Sequence, residues 1–244
     1  MRVGLISDIH GNRWGLEPVL DDLARRNVDQ IICLGDICFG PQAHECLGIV
    51  RDLGCPVVLG NWDAWSKDGF PPADDPLGAM LYEIGAWWAE LLTPEDHAFV
   101  STFVPTLDFD FGDGTIMHCY HGSPKSFNDW IFATTPDEDL EPLFAGIDAT
   151  LLVGGHTHLQ MMRRFGRQMI INPGSVGQPF SQWWPKTIRV APWAEYAIIE
   201  AGDGSSRLHV DLRRVPIDVD ALLRFCLESG MPHAQWWVDS WNPA

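Results

Sequence analysis

The sequence lacks the surplus of basic residues that binding to nucleic acids or anionic membranes requires. It has 33 Asp and Glu residues against 16 Lys and Arg residues, and a formal net charge of −17 at pH 7. Proteins that bind phosphate backbones or anionic lipids gather cations on their surface. We therefore expect no stable nucleic-acid partner and no membrane partner, whereas a protein that holds metal cations fits this charge.

The sequence also lacks disulfide and membrane-spanning patterns. Its six cysteines form no CxxC pair, and several lie in apolar runs, so we expect buried thiols in a reducing compartment. No apolar run approaches the roughly 18 residues of a membrane span. The segment after Met1 lacks the charged and apolar regions of a signal peptide. We therefore expect a soluble, cytoplasmic protein.

What the sequence does contain is an apolar run that ends in an acid and an imidazole. Residues 3–10 are rich in β-branched side chains and include Asp8 and His10. A continuous apolar run predicts a strand that is buried on both faces. Residues two apart on a strand share a face. Both side chains are therefore expected at the carboxyl end of the strand, where open α/β sheets bind ligands.

Helical and strand patterns alternate through the first 60 residues, which predicts a parallel sheet with right-handed crossovers. Asn12 is the expected N-cap of a first helix, and Gly54 is expected to end a second one. Strands are predicted over 30–34 and 56–59. Residues 64–105 are expected to form a helical insert over one edge of the site, with helices over 78–91 and from Thr93-Pro94 onward.

The second half shows short strands and hairpins, which predict a mostly antiparallel sheet packed on the first. Thr135 is expected to begin a helix through a capping box. Because no repeat or linker interrupts the chain, we expect a single domain over 1–244 with a Trp-rich tail at 231–244. The remaining predicted elements are strands over 115–120, 149–153, 161–165, 168–171, 195–200 and 208–214, turns at 166–167 and 202–205, and a helix over 218–228.

Potential metal ligands follow the predicted strands. All are oxygen or imidazole ligands, which suit borderline or hard divalent ions. Seven ligands are too many for one ion, so two ions about 3.5–4 Å apart are implied, with one carboxylate between them. Asp36 is the expected bridge, because Gly35 lets the backbone crowd the site. The ligand candidates are Asp8, His10, Asp36, Asn61, His121, His156 and His158.

Other histidines and one serine were weighed against this set. His118 competes with His121, but His118 lies within a predicted strand whereas His121 ends it, so His121 is preferred. Ser175 lies in a Gly-Ser-Val-Gly segment whose spacing does not fit a nucleophile elbow, and a tight turn beside the metals is expected there instead. The histidines expected on the surface or on helices are His44, His97, His209 and His233.

The order of these motifs resembles the calcineurin-like metallophosphoesterase superfamily, especially its small bacterial and archaeal phosphodiesterase-like branch. The motifs are Asp8-x-His10, Gly35-Asp36, Gly60-Asn61, His121-Gly122, the GGHTH segment 154–158 and the NPGSVGQP segment 172–179. The resemblance implies a four-layer α/β/β/α sandwich of two stacked mixed β-sheets flanked by helices. It also implies two divalent ions, with Mn²⁺ preferred and Fe, Zn, Co or Ni as alternatives, whose bridging hydroxide attacks phosphorus.

The resemblance also divides the ligands between the two ions. One ion takes Asp8, His10, Asp36 and His158, and the other takes Asp36, Asn61, His121 and His156.

The sequence departs from the superfamily at Trp62, where most members have a histidine that assists the leaving group. An indole N–H can donate a hydrogen bond but cannot transfer a proton. A missing general acid costs about 10²–10⁴ in rate when the leaving oxygen needs a proton. We therefore expect hydrolysis of phosphodiester or phosphoanhydride bonds in nucleotides or similar small molecules. The expected catalytic residues are Asp36, Asn61, Trp62 and Asp63, and the role of Asp63 is open.

Two other functions remain open. One is a phosphomonoesterase or protein phosphatase, which Trp62 disfavours. The other is a non-catalytic scaffold, like a retromer subunit of the superfamily that also lacks the histidine. An exposed aromatic tail would favour an interaction role, or a homo-oligomer formed through an aromatic surface, unless the tail packs on the protein itself. The complete ligand set favours catalysis. The tail tryptophans are Trp236, Trp237 and Trp241.

Substrate contacts are predicted only by residue type. Tryptophans in the loops near the metals can stack on a nucleobase or pack the edges between sheets and helices. Basic side chains near the same loops are candidate phosphate contacts. The tryptophans are Trp62, Trp65, Trp130, Trp183 and Trp184, and the basic residues are Lys125, Lys186 and Arg189.

Overall fold

The computed structural model describes residues 1–73, 75–182, 188–202 and 208–241. The strands are β1 (Arg2–Ile6), β2 (Gln30–Cys33), β3 (Leu107–Asp110), β4 (Ile116–Cys119), β5 (Leu151–Val153), β6 (Met161–Phe165), β7 (Gln168–Asn172), β8 (Phe180–Gln182), β9 (Arg189–Val190), β10 (Trp193–Glu200) and β11 (His209–Pro216). The helices are α1 (Arg13–Arg25), α2 (Ala43–Leu53), α3 (Asn61–Asp68), α4 (Pro76–Ala89), α5 (Pro94–Val100), α6 (Asp137–Phe144), α7 (Val219–Glu228) and α8 (Ala234–Ser240).

Two mixed β-sheets are stacked face to face. The first has the strand order β11-β10-β1-β2, in which β1 and β2 form the parallel pair and the other neighbours are antiparallel. The second has the order β3-β4-β5-β7-β6, with parallel pairing in the middle and antiparallel strands at both edges. Strands β8 and β9 pair separately. The predicted pair of stacked mixed sheets is confirmed.

Apolar side chains on both faces of the strands hold the layers together, as continuous apolar runs predict. Val3 and Leu5 of β1 pack between the sheets against Met117 of β4. On the outer face of the first sheet, β1 packs against α1 and α2. On the outer face of the second sheet, Leu152 packs against Leu140 of α6. The four layers are therefore α/β/β/α, as predicted.

The predicted split into a parallel first half and an antiparallel second half is wrong. Strand β10, from the second half of the chain, pairs antiparallel with β1 in the first sheet. In the second sheet, β5 pairs parallel with both β4 and β7. The pattern of apolar residues indicates which faces of a strand are buried, but it does not indicate which strand pairs with it or in which direction. The strand predicted over 56–59 is reduced to isolated bridges at Val57 and Val58. Strands β3, β8 and β9 were not predicted.

Most predicted helix ends are confirmed by hydrogen bonds. Asn12 accepts a hydrogen bond from the backbone N–H of Gly15, and Gly54 ends α2 in a left-handed conformation. Thr93 begins α5 with a capping box. The capping box predicted at Thr135 is wrong. Helix α6 starts after Pro136 without a side-chain cap, because the hydroxyl of Thr135 accepts from the N–H of Phe132 instead.

Helices α3, α4, α7 and α8 form an apolar cluster beside the sheets, which we call the cap. Ile84 and Trp88 of α4 pack there against Trp237 and Trp241. Trp237 belongs to α8 and Trp241 directly follows it, both in the segment predicted as a tail. Among the described residues, no helix has the length and apolarity that crossing a bilayer requires. Single-domain organisation over the whole chain stays a prediction.

Candidate metal centre

Five of the predicted ligands have left-handed backbone conformations. Asp8 and His10 lie beyond the end of β1 with φ angles of 53° and 48°. His156 and His158, also two residues apart, follow β5 with φ angles of 68° and 57°, and Asp36 has a φ angle of 54°. A left-handed residue with a Cβ atom costs about 1–3 kcal/mol. The argument that Asp8 and His10 share a strand face is therefore wrong. Paired left-handed residues, not a strand, bring them together.

Hydrogen bonds with two other segments hold this strained loop. The backbone N–H of Asp8 donates to the carbonyl of Gly35 at 2.9 Å, and that of His10 donates to the carbonyl of Asp36 at 2.9 Å. The carbonyl of Asp8 accepts from the hydroxyl of Ser175 at 2.7 Å and from the N–H of Gly177 at 2.9 Å. Ser175 therefore positions a ligand loop and is buried, which agrees with the predicted turn and not with a nucleophile.

Two glycines permit the close approach of these loops. Gly35 has a φ of 94°, and a Cβ atom on it would lie 2.6 Å from the backbone nitrogen of Gly60. A Cβ atom on Gly155 would lie 2.0 Å from the hydroxyl of Ser7 and 2.7 Å from the carboxylate of Asp8. Any larger residue at either position would displace the loops that carry the predicted ligands.

The first donor group consists of Asp8, His10 and His158, whose donor atoms all lie within 4.8 Å of one another. The Nε2 atoms of the two histidines are 3.0 Å apart, and Asp8 Oδ1 is 3.3 Å from His158 Nε2. His158 Nδ1 donates to the carbonyl of Gln178 at 2.8 Å. That bond fixes the ring with Nε2 directed at the other donors.

The second donor group consists of Asp36, His121 and His156, whose donor atoms also lie within 4.8 Å of one another. Asp36 Oδ2 is 3.3 Å from His121 Nε2, and the amide of Asn61 is 3.1 Å from the same nitrogen. His121 Nδ1 donates to the carbonyl of Leu34 at 2.7 Å. The structure thus brings all seven predicted ligands into one buried cluster.

Asp36 lies between the two donor groups. Its Oδ2 atom is 3.8 Å from His10 Nε2 of the first group and 3.3 Å from His121 Nε2 of the second. Its Oδ1 atom accepts from the backbone N–H of Trp62 at 2.9 Å. One carboxylate is therefore held so that it can serve both groups.

The donor set fits two divalent ions. Two metal–nitrogen bonds of about 2.1 Å at a right angle place their nitrogens about 3.0 Å apart, which is the separation of His10 Nε2 and His158 Nε2. Two carboxylates and four imidazoles in one buried cluster are typical of sites for borderline metals. His10 Nδ1 and His156 Nε2 have no hydrogen-bond partner among the described residues.

Burial and mutual charge shift the pKa values of these groups in opposite directions. Burial and the neighbouring His158 lower the pKa of His10 to about 4, and burial and His121 lower that of His156 to about 4. Burial alone would lower the pKa of His121, but the Asp36 carboxylate raises it to about 10. Burial is the largest influence on Asp36 and opposes its ionisation, but the charge and hydrogen bond of His121 and the charge of His10 together outweigh burial and lower that pKa. At neutral pH, ionised Asp36 thus faces a protonated His121 and the neutral imidazoles of His10 and His156.

Asp63 supports the loop that carries Asp36. Its carboxylate accepts backbone N–H bonds from Asp36 at 2.7 Å, Ile37 at 2.9 Å, Cys38 at 2.9 Å and Gly60 at 3.2 Å. Burial and the charge of Asp36 raise its pKa to about 6. Both oxygens of Asp63 are used by the backbone, which is a positioning role for the residue that sequence analysis left open.

An aromatic cavity of about 580 Å³ opens onto both donor groups. Trp62 stacks on Phe39 with ring centroids 3.8 Å apart. Phe180 stacks on His158 at 4.6 Å, and Trp130 packs on the ring of His156 at 4.7 Å. Aromatic faces therefore surround the imidazoles as well as the space above them.

The other candidate substrate contacts are placed unevenly. Trp65 lines the cavity, whereas Lys125 lines a separate cavity of about 330 Å³ beside His121. The guanidinium of Arg189 donates to the carbonyl of Asp239 at 2.8 Å. Trp183, Trp184 and Lys186 lie outside the described residues, as does part of the turn predicted at 202–205.

The remaining histidines lie away from both donor groups, whereas the tail contributes Trp236 and Trp237 to the cavity lining. His118 pairs with Asp108 at 2.7 Å on the edge of the second sheet. Trp237 and Trp241 are 4% and 2% exposed, so these two side chains pack on the protein and, in the tail as described up to residue 241, do not present the exposed patch that an interaction role would need. Of the surface histidines, His44 pairs with Asp96, His233 pairs with Glu83, and His97 and His209 belong to α5 and β11.

Several residues that hold the predicted ligands in place carry no signal that was recognised in the sequence. Asn172 donates to the carbonyl of Gly155 at 2.6 Å and to the hydroxyl of Thr157 at 3.1 Å, within the loop that carries two of the ligand histidines. Ser7 donates to Asp8 Oδ2 at 2.6 Å. The 172–179 segment, which contains Asn172, was recognised in the sequence, but only as a turn. That its side chains hold the loops of Asp8 and of residues 155–157 could not be predicted from it.

Comparisons with known proteins agree with this geometry. Residues 1–204 match the calcineurin-like phosphoesterase superfamily domain. The uncharacterized protein MJ0912 from Methanocaldococcus jannaschii is 30% identical over 195 residues, which are 72% of this chain and 76% of the relative. A metallophosphoesterase from Sphaerobacter thermophilus is 28% identical, with a TM-score of 0.76 and 98% of each chain covered. Hypothetical protein PH1004 from Pyrococcus horikoshii shares the fold, with a TM-score of 0.78, 18% identity and 97% of each chain covered.

Proposed function

The chain belongs to the calcineurin-like phosphoesterase superfamily, and we propose that it is a binuclear metal-dependent hydrolase that cleaves phosphodiester or phosphoanhydride bonds. The observation that carries the proposal is that the Asp36 carboxylate lies between two donor groups that line one cavity. The similarity to the metallophosphoesterase from Sphaerobacter thermophilus supports it. The substrate class is a nucleotide or similar small phosphoester.

The two donor groups would each hold one divalent ion, with Mn²⁺ as the proposed metal. Asp8, His10 and His158 would hold the first ion, and Asn61, His121 and His156 the second, with Asp36 shared. When bound, such a pair lowers the pKa of a water molecule and neutralises the charge of the phosphoryl group.

Trp62 decides which bonds can be cleaved. Hydrolysis joins the oxygen of water to phosphorus, breaks the bond from phosphorus to the leaving oxygen, and leaves that oxygen to take up a proton. The indole of Trp62 lies at the cavity and has no proton to transfer. The leaving oxygen must therefore be a weak base, such as an aryl oxide or a phosphate. This argument favours diesters and anhydrides of that kind over alkyl monoesters.

Hydrolysis of bis(4-nitrophenyl) phosphate in the presence of Mn²⁺ tests the proposal. We expect turnover by the purified protein and a loss of more than about 10³-fold in Asp36→Ala, since that change removes a ligand of both ions. Asp21→Ala is the matched control, because Asp21 is exposed on α1. Metal content measured by mass spectrometry should fall in Asp36→Ala and stay at two ions per chain in the control.

The bond preference has its own test. We expect faster turnover of the aryl diester than of an alkyl phosphomonoester at equal metal loading. Equal or faster turnover of the alkyl monoester would contradict the diesterase assignment. If none of the divalent metals Mn²⁺, Fe²⁺, Co²⁺, Ni²⁺ or Zn²⁺ gave turnover, although two ions were bound, the hydrolase assignment itself would be wrong.

A further inference from the structure

The cavity above the donor groups is built almost entirely from uncharged side chains. Its described lining contains no Lys or Arg, and its carboxylates are Asp36 of the second donor group and Asp75 at the start of α4. Asp75 is exposed, and its Oδ1 atom accepts the N–H bonds of Leu77 and Gly78. Beyond the metal centre, this lining would offer no countercharge to a second phosphate. Asp75 and the net charge of −17 would repel it.

One wall of the cavity, beside the donor groups, is a continuous series of aromatic rings. Trp62 contacts Phe39 at 3.8 Å, Trp65 at 5.1 Å and Phe70 at 5.8 Å between ring centroids, and Phe70 contacts Tyr82 at 5.8 Å. All five side chains line the cavity, whose volume of about 580 Å³ lies in the range of small-molecule sites. Such a wall gains most from a planar apolar group that can stack on it.

The polar donor beside the first donor group is neutral. Gln178 is 8% exposed and lines the cavity, and its Nε2 atom has no partner among the described residues. The carbonyl of Gln178 accepts from His158 Nδ1, which fixes the residue next to the predicted ligands. A buried donor without an acceptor is costly. An amide there can be satisfied by one oxygen of a ligand, and it adds no charge to balance further phosphates.

We infer that the cavity selects phosphodiesters that carry a single phosphate and one large, uncharged, aromatic group, and that it rejects substrates with additional phosphates. The inference rests on the proposed function and narrows it from phosphodiesters and phosphoanhydrides to one class of diester. The aromatic group stacks on the wall that contains Trp62 and Trp65. The single phosphate lies at the metal centre within reach of Gln178.

A series of esters with the same 4-nitrophenolate leaving group tests this selectivity, because only the retained group differs. The series consists of the 4-nitrophenyl esters of methyl phosphate, phenyl phosphate, thymidine monophosphate and thymidine triphosphate. We expect KM for the phenyl or the thymidine monophosphate ester to be at least about tenfold lower than for the methyl ester, through stacking. The triphosphate ester should have the lowest kcat/KM, and the phenyl and thymidine arms together show whether a simple ring or a nucleobase fits better.

Two pairs of variants connect the selectivity to the cavity. Trp65→Ala should bring the KM ratio of methyl to aromatic esters toward one, whereas Trp87→Ala, on α4 outside the cavity lining, should leave the ratio unchanged. Tyr82→Lys places a cation in the wall and should raise kcat/KM for the triphosphate ester by about tenfold. Leu91→Lys, exposed and outside the cavity lining, should not.

The outcomes separate the inference from the proposed function. Preference for the methyl ester or for the triphosphate ester would overturn the inference while leaving a phosphodiesterase. Equal effects of the variants inside and outside the cavity would also overturn it. Absence of hydrolysis of every ester in the series, with two ions bound, would instead overturn the proposed function on which the inference rests.

Discussion

The metal centre and the cap meet at one cavity but are held by different forces. The loops of the centre have backbone strain at Asp8, His10, His156 and His158, and hydrogen bonds from buried polar groups offset it. The cap instead consists of apolar helices whose aromatic side chains pack against one another. Strained, hydrogen-bonded loops fix donor atoms to a few tenths of an ångström. Apolar packing only defines a shape and tolerates exchange of side chains.

This difference assigns the two regions different parts of the proposed activity. The centre determines what chemistry is available, because a ligand shifted by one ångström no longer binds the same ion. The cap determines which organic group can lie above that chemistry. Changes in the centre should therefore alter metal binding and turnover together, whereas changes in the cap should alter substrate preference or local stability alone.

The largest effect is expected from Asp63→Ala. This change removes the acceptor of four buried backbone N–H groups and releases the loop of Asp36. Each orphaned buried donor costs about 1–3 kcal/mol, so we expect the free energy of unfolding to fall by at least about 4 kcal/mol. Urea denaturation measures it. Asp68→Ala, exposed on the same helix, is the control and should change the stability little. Equal stability of both variants would contradict the positioning role of Asp63.

Trp241→Ala should affect the cap and spare the centre. Trp241 is 2% exposed and packs among α4, α7 and α8, and removal of a buried Trp side chain costs about 3–5 kcal/mol. We expect faster hydrogen exchange in α7 and α8 with no change in Mn²⁺ affinity, measured by titration calorimetry. Leu227→Ala, half exposed on α7, is the control. Loss of metal binding in Trp241→Ala would show that the two regions are not separate.

The candidate metal centre was predictable from the sequence because its predicted ligands lie in short motifs. Asp8-x-His10 and the 154–158 segment identify their residues by type and order, and the structure brings them together. The reason given for their placement was partly wrong, since left-handed backbone conformations cannot be read from an apolar run. The supporting role of Asn172 was missed for a different reason. Its side chain holds another loop, and such a long-range contact leaves no local pattern in the sequence.

The cap was predicted only in outline. The helix that follows Thr93 was predicted from its cap, which is a local signal, whereas Asp75, the N-cap of α4, was not identified from the sequence. The contacts of Trp237 with α4 and α7 depend on how distant helices pack, and composition alone left the tail as a possible exposed surface. The pairing of β10 with β1 escaped prediction in the same way. Local sequence signals therefore predict individual helices and strands, whereas the contacts between distant elements depend on long-range packing.

Ser175→Ala tests how far the centre depends on hydrogen bonds outside the ligand set. The Ser175 hydroxyl donates to the carbonyl of Asp8 and accepts from the N–H of Gln178, both at 2.7 Å. Loss of a residue that orients a ligand lowers metal affinity by about 10–100-fold. We expect a decrease near the lower end of that range in calorimetric titration with Mn²⁺. Ser101→Ala on the surface is the control, and equal affinities in both variants would contradict the role of Ser175.

The smallest effect is expected from Trp62→His, which introduces a proton donor at the boundary between the two regions. An imidazole with a pKa near 6.5 can protonate a leaving oxygen at neutral pH. A well-oriented general acid contributes about 10²–10⁴ in rate. Here both oxygens of Asp63 already accept backbone N–H bonds, so this carboxylate cannot orient the new ring. We therefore expect kcat for an alkyl phosphomonoester to rise only about tenfold relative to the aryl diester.

Trp65→His, in the same cavity wall, is the matched control and should leave this ratio unchanged. An equal rise in both variants would show that any imidazole in the cavity suffices, and that position 62 does not set the preference for the leaving group.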